Sequence, residues 1–187
     1  MSELQNIDNV VAEMRRWVDR AVIGLNLCPF AKAVAVKGQI RYVVSSATTP
    51  RALLDDLRRE LLHLAAVDPG ETDTTLLVLP GMLEDFLDFN DFLADADDLL
   101  ASLELVGELQ IADFHPRYQF AGTAEDDIEN YTNRAPYPTL HLLREASIDR
   151  AVEAFPEAEA IYEANMQTLR RLGRDGWERL MSKGDAE

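Results

Sequence analysis

Cysteine, histidine and positive charge are all scarce in this chain of 187 residues, and each scarcity excludes something. Cys28 is the single cysteine, so no internal disulfide can form and the thiol content gives no sign of secretion. Basic residues number 18 against 34 acidic, a formal charge of -16. Such a chain repels phosphate backbones and anionic lipid, so neither nucleic acid nor a membrane surface is an expected partner. No window approaches the roughly 20 apolar residues of a bilayer span. The N-terminus, MSELQNIDNVVAEMRRW, lacks the basic start and apolar block of a signal peptide. The cytoplasm is the expected location. There are no internal repeats and no low-complexity segments.

What is present suffices for a real core. The chain is 47% hydrophobic and long enough to fold without a disulfide or metal staple. Residues 1–187 read as one domain, with 182–187 as a frayed tail. Apolar residues from Val10 to Val22 recur at helical spacing, predicting a helix from Asp8 to about Ile23, capped near Asn6 or Asp8, with Gly24 just past its end. Pro29 suits the first turn of a short helix running to Val36. IRYVVSSA (40–47) reads as a strand, and Thr48 or Thr49 caps a helix with Pro50 in its first turn. Leu53, Leu54, Leu57, Leu61, Leu62 and Leu64 form the apolar face of that helix.

TTLLVL (74–79) has the character of a buried strand. Residues 83–105 predict a long helix with Phe86, Phe89, Leu93, Ala96, Leu100 and Leu103 on one face and aspartates opposite. The aspartates lack the spacing and the turn glycine of a calcium loop and read as a solvated face. Strands follow at 109–114 and 139–143, separated by a polar, proline-containing loop long enough to build a site. Helices are expected at 147–154 and from Glu157 to about Met181, the latter docking through Leu169, Leu172 and Trp177. The alternation predicts an α/β (or α+β) sandwich: about four strands in a small, mainly parallel or mixed sheet, flanking helices and a long C-terminal helix. The first three strands fit parallel crossovers, and the fourth could run either way.

Three short words hold most of the chemistry: LNLCPFA (25–31), FHPRYQF (114–120) and NRAPYPTLHLLRE (133–145). With the chain length and the acidic helix between them, they resemble a bacterial family catalogued as domain of unknown function 1415. The likeness covers nearly the whole chain. It implies no activity, cofactor or catalytic residue, so the chemistry is argued from the residues.

If Pro29 opens a helix, Cys28 is its N-cap, where free N–H groups and the positive helix end favour the thiolate, with Lys32 one turn on. A lone cysteine can equally be a small buried hydrophobe. Asp113 and His115 alternate to the same side at the end of a strand, where open α/β sheets place ligand residues. His115 is thus the candidate acid/base and Asp113 its orienter, unless the histidine only satisfies a loop carbonyl. Arg117 and Arg134 are candidate anion clamps, with Tyr118, Asn133, Tyr137 and Lys32 as further donors; Asn130 and Arg144 lie alongside. Local acids offer them ordinary ion pairs, Glu129 for Arg134 and Glu145 or Asp149 for Arg144. His141, between leucines, reads as a half-buried strand residue, and His63 as structural.

No cofactor is expected. A divalent metal could be drawn among Cys28, His115, His141 and Asp113, but no local pair has a standard ligand spacing. CPFA (28–31) also looks like the thiol segment of omega-class glutathione transferases, and YPTL (137–140) like the cis-proline segment of thioredoxin-fold proteins. The 110 or so residues between them, and the extra strand-plus-helix unit, argue against that fold. The expected function is an enzyme with a reactive Cys28 acting on a small anionic molecule, in a pocket walled by residues 115–138. The alternatives are a non-catalytic binding or scaffold protein with a structural cysteine, a thioredoxin-like thiol protein, and a metal-dependent hydrolase. Oligomeric state is not legible.

Overall fold

The computed structural model describes residues 3–154 and 160–182. In chain order these form α1 (Glu3–Trp17), a π-helical segment (Val18–Ile23), α2 (Ala31–Val36), β1 (Ile40–Val44), α3 (Pro50–Ala66) and β2 (Thr74–Val78). Then come α4 (Phe86–Ser102), β3 (Leu109–Phe114), a 3-10 turn (Ile128–Asn133), β4 (Thr139–Arg144), α5 (Glu145–Ala154) and α6 (Ala160–Ser182). The tail beyond Ser182 lies outside the described residues. No described helix is long and apolar enough to cross a membrane.

The sheet is mixed, in the order β1-β2-β4-β3. β1 and β2 are parallel, and β4 is antiparallel to both its neighbours. Three strands therefore point one way with β4 wedged among them the other way. The loop after β3 is long enough to turn the chain back, and Leu140 and Leu142 give β4 the apolar character a central strand needs.

Period-two alternation sorts the strand side chains onto two faces. Leu77, Leu109, Leu140 and Leu142 turn toward α3 and α4, where Leu53, Leu57, Leu61, Leu64, Phe89 and Phe92 complete a core. Leu76, Val78 and Phe114 turn the other way, toward Val10, Met14 and Trp17 of α1 and Leu169 and Trp177 of α6.

Local chemistry sets the helix boundaries. Thr49 caps α3, its hydroxyl accepting the Ala52 N–H at 3.2 Å, and Pro50 occupies the first turn. Leu62 departs from the predicted α3 face: it points to solvent at 47% exposure. Helix α4 is shorter than the 83–105 predicted, because the Asp85 carboxylate accepts from the Leu87 and Asp88 N–H groups and so starts it at Phe86. Its aspartates at 88, 91, 95, 97 and 98 are exposed, as predicted. Helix α1 begins before the expected caps and passes into the π segment. A Cβ on Gly24, at its end, would stand 2.3 Å from the Arg20 carbonyl oxygen, so only glycine fits there. Gly38, with φ +70°, closes α2 in the left-handed conformation expected just past a helix end. Helix α6 bends at Gly173 and docks as expected through Leu169 and Trp177.

Candidate functional site

Cys28 does not cap a helix. The residues after it form a turn in which the Ala31 N–H donates to the Cys28 carbonyl at 3.2 Å, and α2 begins only at Ala31 with Phe30 as its cap residue. The argument from a helix N-terminus therefore does not apply to this thiol. What holds Cys28 in place is the end of the π segment: the Val22 carbonyl accepts from the N–H groups of Leu27 and Cys28. The buried Asn165 amide of α6 also donates to the Leu27 carbonyl at 2.9 Å. The cysteine is half-buried.

Cys28 lines a cavity of about 310 Å³ on the α1 face of the sheet. Trp17, Val18 and Val22 of the first helical stretch form one wall, and the π turn that presents two of them is a geometry often found at functional sites. Leu76, Phe114 and Leu143 of the sheet form the floor, and Ile148 and Ala151 of α5 close the far side. The wall is overwhelmingly apolar.

His141 stands on the same wall. It alternates with Leu140 and Leu142, so its side chain takes the face opposite the filled core. Its ring lies 5.6 Å from Phe114, which in turn packs edge-on against Trp17 at 5.0 Å. The Thr74 hydroxyl donates to the Leu142 carbonyl at 2.7 Å and so must accept at its other contact, His141 Nε2 at 2.8 Å. That bonding assigns the imidazole proton to Nε2 and leaves the lone pair on Nδ1, which has no hydrogen-bond partner among the described residues. Burial lowers the His141 pKa to about 4, so the ring is neutral at neutral pH.

Next to the cavity, and sharing Phe30, Val34, Asp73, Ser147 and Ala151 with it, lies a more polar opening, the mouth, that adds Lys37, Gln39 and Arg150. This opening lies beside the starts of β1 and β2. The candidate residues expected from the sequence, Asp113 and His115, stand at the opposite end of the sheet, where β3 finishes. The inversion follows from β4, whose antiparallel course carries α5 to the near edge.

The remaining expected site residues gather at that other end and serve the loop. His115 is fully buried: its Nε2 donates to the Leu83 carbonyl at 3.0 Å, and its Nδ1 accepts the Arg117 N–H at 3.0 Å. Phe86 and Phe89 pack against the ring, on the α4 side. Burial pushes the His115 pKa down. With both nitrogens engaged, it has no free site for a proton, and Asp113 does not orient it. Asp113 lies beside the Tyr118 hydroxyl, its pKa raised by burial. Arg117 pairs with Asp85 at 2.9 Å and donates to the Glu84 carbonyl.

Arg134 donates to the carbonyls of Tyr118 and Glu125 and sits over the Tyr131 ring, while Glu129 pairs with Arg170 instead. Asn133 reaches the Asp113 carbonyl, Tyr137 donates to Glu13 at 2.8 Å, and Lys32 is exposed on α2. Asn130, fully buried, bonds Phe120, Thr123 and Ala124 and so shapes the loop from inside. None of these residues lines the cavity around Cys28, and neither does any other part of 115–138.

The three words thus do not enclose one cationic pocket. Each sends apolar side chains to the cavity, Phe30 and Ala31 from the first, Phe114 from the second and Leu143 from the third, and Cys28 and His141 line it as well. Among the described residues, no group of three or more His, Cys, Asp or Glu is placed to hold a metal ion. No described peptide bond is cis, that before Pro138 included, and Cys28 precedes the first strand instead of following one. His141 is the half-buried strand residue that its place between leucines predicts, and its side chain lines the cavity. Lys37 and Arg150, distant in the chain, carried no such signal.

Fold and cavity together define a mixed α/β protein whose four-stranded sheet carries a packed core on each face, with a cavity beside the core on the α1 side. The chain belongs to the family described as Protein of unknown function (DUF1415), whose model matches residues 9–179. No curated protein and no solved structure matches it.

Proposed function

We propose that this protein is an enzyme acting on a small, apolar-bodied molecule held in the cavity beneath Cys28. The carrying observation is that the only thiol and a neutral imidazole with an open Nδ1 line the same cavity. A thiol is a weak nucleophile until its proton has somewhere to go. Cys28 supplies the sulfur and His141 Nδ1 takes its proton as sulfur bonds to an electrophilic carbon. The imidazolium so formed is a strong acid in this apolar setting and returns the proton to the leaving group. Water then attacks the same carbon, giving its proton to Nδ1, and the carbon–sulfur bond breaks as the sulfur takes that proton back. Compared with the expectation from sequence, the thiol stays and the acid/base partner moves from His115 to His141. The arginines at 117 and 134 leave the site for structural duties.

The scarcity of polar groups on the inner wall favours a second reading, in which the molecule is bound and not changed. p-Nitrophenyl octanoate separates the two. The enzyme reading expects a burst of about one nitrophenolate per chain, lost in Cys28→Ala and at least tenfold slower in His141→Phe. Saturable binding of the octanoate ester with no burst favours the second reading. A chain whose Cys28 is alkylated by N-ethylmaleimide only after denaturation overturns the first.

A further inference from the structure

The cavity and its mouth differ in chemistry, and the difference identifies a ligand class. The inner space is apolar and measures about 310 Å³. A cavity of about 150 Å³ is enough for benzene, so this one has room for an apolar body of roughly eight to ten carbons. The mouth shares Phe30, Val34, Asp73, Ser147 and Ala151 with it, so the two spaces adjoin.

Two cations stand at the mouth. The Lys37 ammonium has neither a hydrogen bond nor an ion pair among the described residues. Arg150 donates to the Ser147 hydroxyl at 2.9 Å and is paired with no acid among the described residues. The one carboxylate there, Asp73, already accepts from Ser147 at 2.7 Å. The side chains that line the mouth therefore sum to one positive charge, in a chain of formal charge -16, while the Asp68 carboxylate beside them is taken by the Gly70 N–H. Elsewhere Arg41, Arg59, Arg117, Arg170 and Arg174 each face a carboxylate.

From this we infer that the ligand is an amphipathic monocarboxylate, its apolar body in the cavity and its carboxylate between Lys37 and Arg150. A guanidinium matches a planar carboxylate with paired hydrogen bonds, and one net charge suits a monoanion better than a phosphate dianion. The inference rests on the reading that the cavity is the working site and adds the class of molecule it takes.

Calorimetric titration of the full chain with hexanoate, octanoate, decanoate and dodecanoate tests it, with decanol as the same body lacking the charge. Affinity should rise about threefold to fourfold per methylene up to about ten carbons and then level off. Decanol should bind at least tenfold more weakly than decanoate. The double variant Lys37→Ala/Arg150→Ala should weaken decanoate about tenfold and leave decanol unchanged. Bound decanoate should slow alkylation of Cys28, which locates it in the cavity. If decanol equals decanoate and the double variant changes neither, the carboxylate assignment falls and the cavity stands. If neither ligand binds or protects Cys28, the cavity reading falls with it.

Discussion

The two faces of the sheet each carry a packed core, and one of them also holds a cavity. On one, α3 and α4 lay leucines and phenylalanines onto Leu77, Leu109, Leu140 and Leu142, with Leu53, Leu57, Leu61 and Leu64 at 0% exposure. On the other, α1 and α6 pack Val10, Met14, Trp17, Leu169 and Trp177 onto Leu76 and Val78, and the π segment, α2 and α5 stand around a cavity beside that core. Two long amphipathic helices can lie flat on a twisted sheet and fill it. The six-residue α2 and the ten-residue α5, neither with any buried residue, cannot. The face under α3 and α4 holds one continuous core; the other holds a core and, beside it, a cavity with Cys28 and His141 on its wall.

Breaking the core under α3 and α4 should have the largest effect. Leu57→Ala should cost about 2–5 kcal/mol, as cavity-forming substitutions in tight cores do. Leu143→Ala, beside space that is already empty, should cost about 1 kcal/mol. Urea denaturation midpoints compare the two, and equal losses would contradict the contrast.

The second effect concerns pH. His141 titrates near 6.5 when unfolded and at about 4 when folded, because burial disfavours its charged form. The unfolded chain thus binds more protons between these values. Its contribution to stability is complete at pH 7, is lost as pH falls from about 6.5 to 4, and is constant below. The loss is roughly 3 kcal/mol at most. His141→Phe should flatten that part of the stability–pH curve relative to the native chain, and an unchanged slope would refute the assignment.

A smaller loss is expected at Arg144, which is buried and donates to the carbonyls of Val67 and Thr72 at 2.8 and 3.1 Å. Arg144→Met leaves both acceptors without their donor, at a cost of about 2 kcal/mol, read from thermal unfolding. The sequence had offered Glu145 or Asp149 as its partner; the fold instead uses it to tie the α3–β2 connection to β4.

The least effect belongs to Arg117→Ala. Its ion pair with Asp85 is about half exposed on both sides and screened by solvent. Neither the unfolding midpoint nor Cys28 alkylation should change measurably. Slower or faster alkylation would mean that the loop end communicates with the cavity after all.

Much of the fold was legible because its signals are short-range. Thr49 before Pro50, the leucine period of α3, the apolar run of β2 and the aspartate face of α4 are readable within one or two turns of chain. The site was legible only in part. Clustering of Arg117, Arg134, Tyr118 and Asn133 in two words marked an important loop but could not say whether their donors face a ligand or backbone carbonyls. The choice depends on what the loop must satisfy once buried. Fully buried Asn130 and His115 show that its demand for donors and acceptors consumed them.

Composition and periodicity by themselves determined the acidic surface, the lone thiol, the helices and strands and their approximate limits, since each is set by neighbours a few positions away. Only the tertiary structure decided that β4 runs against its neighbours, that α5 lands at the opposite edge, and that Cys28 faces His141's cavity instead of His115. Those outcomes follow from strand order and long-range packing, where residues more than a hundred positions apart compete for the same volume.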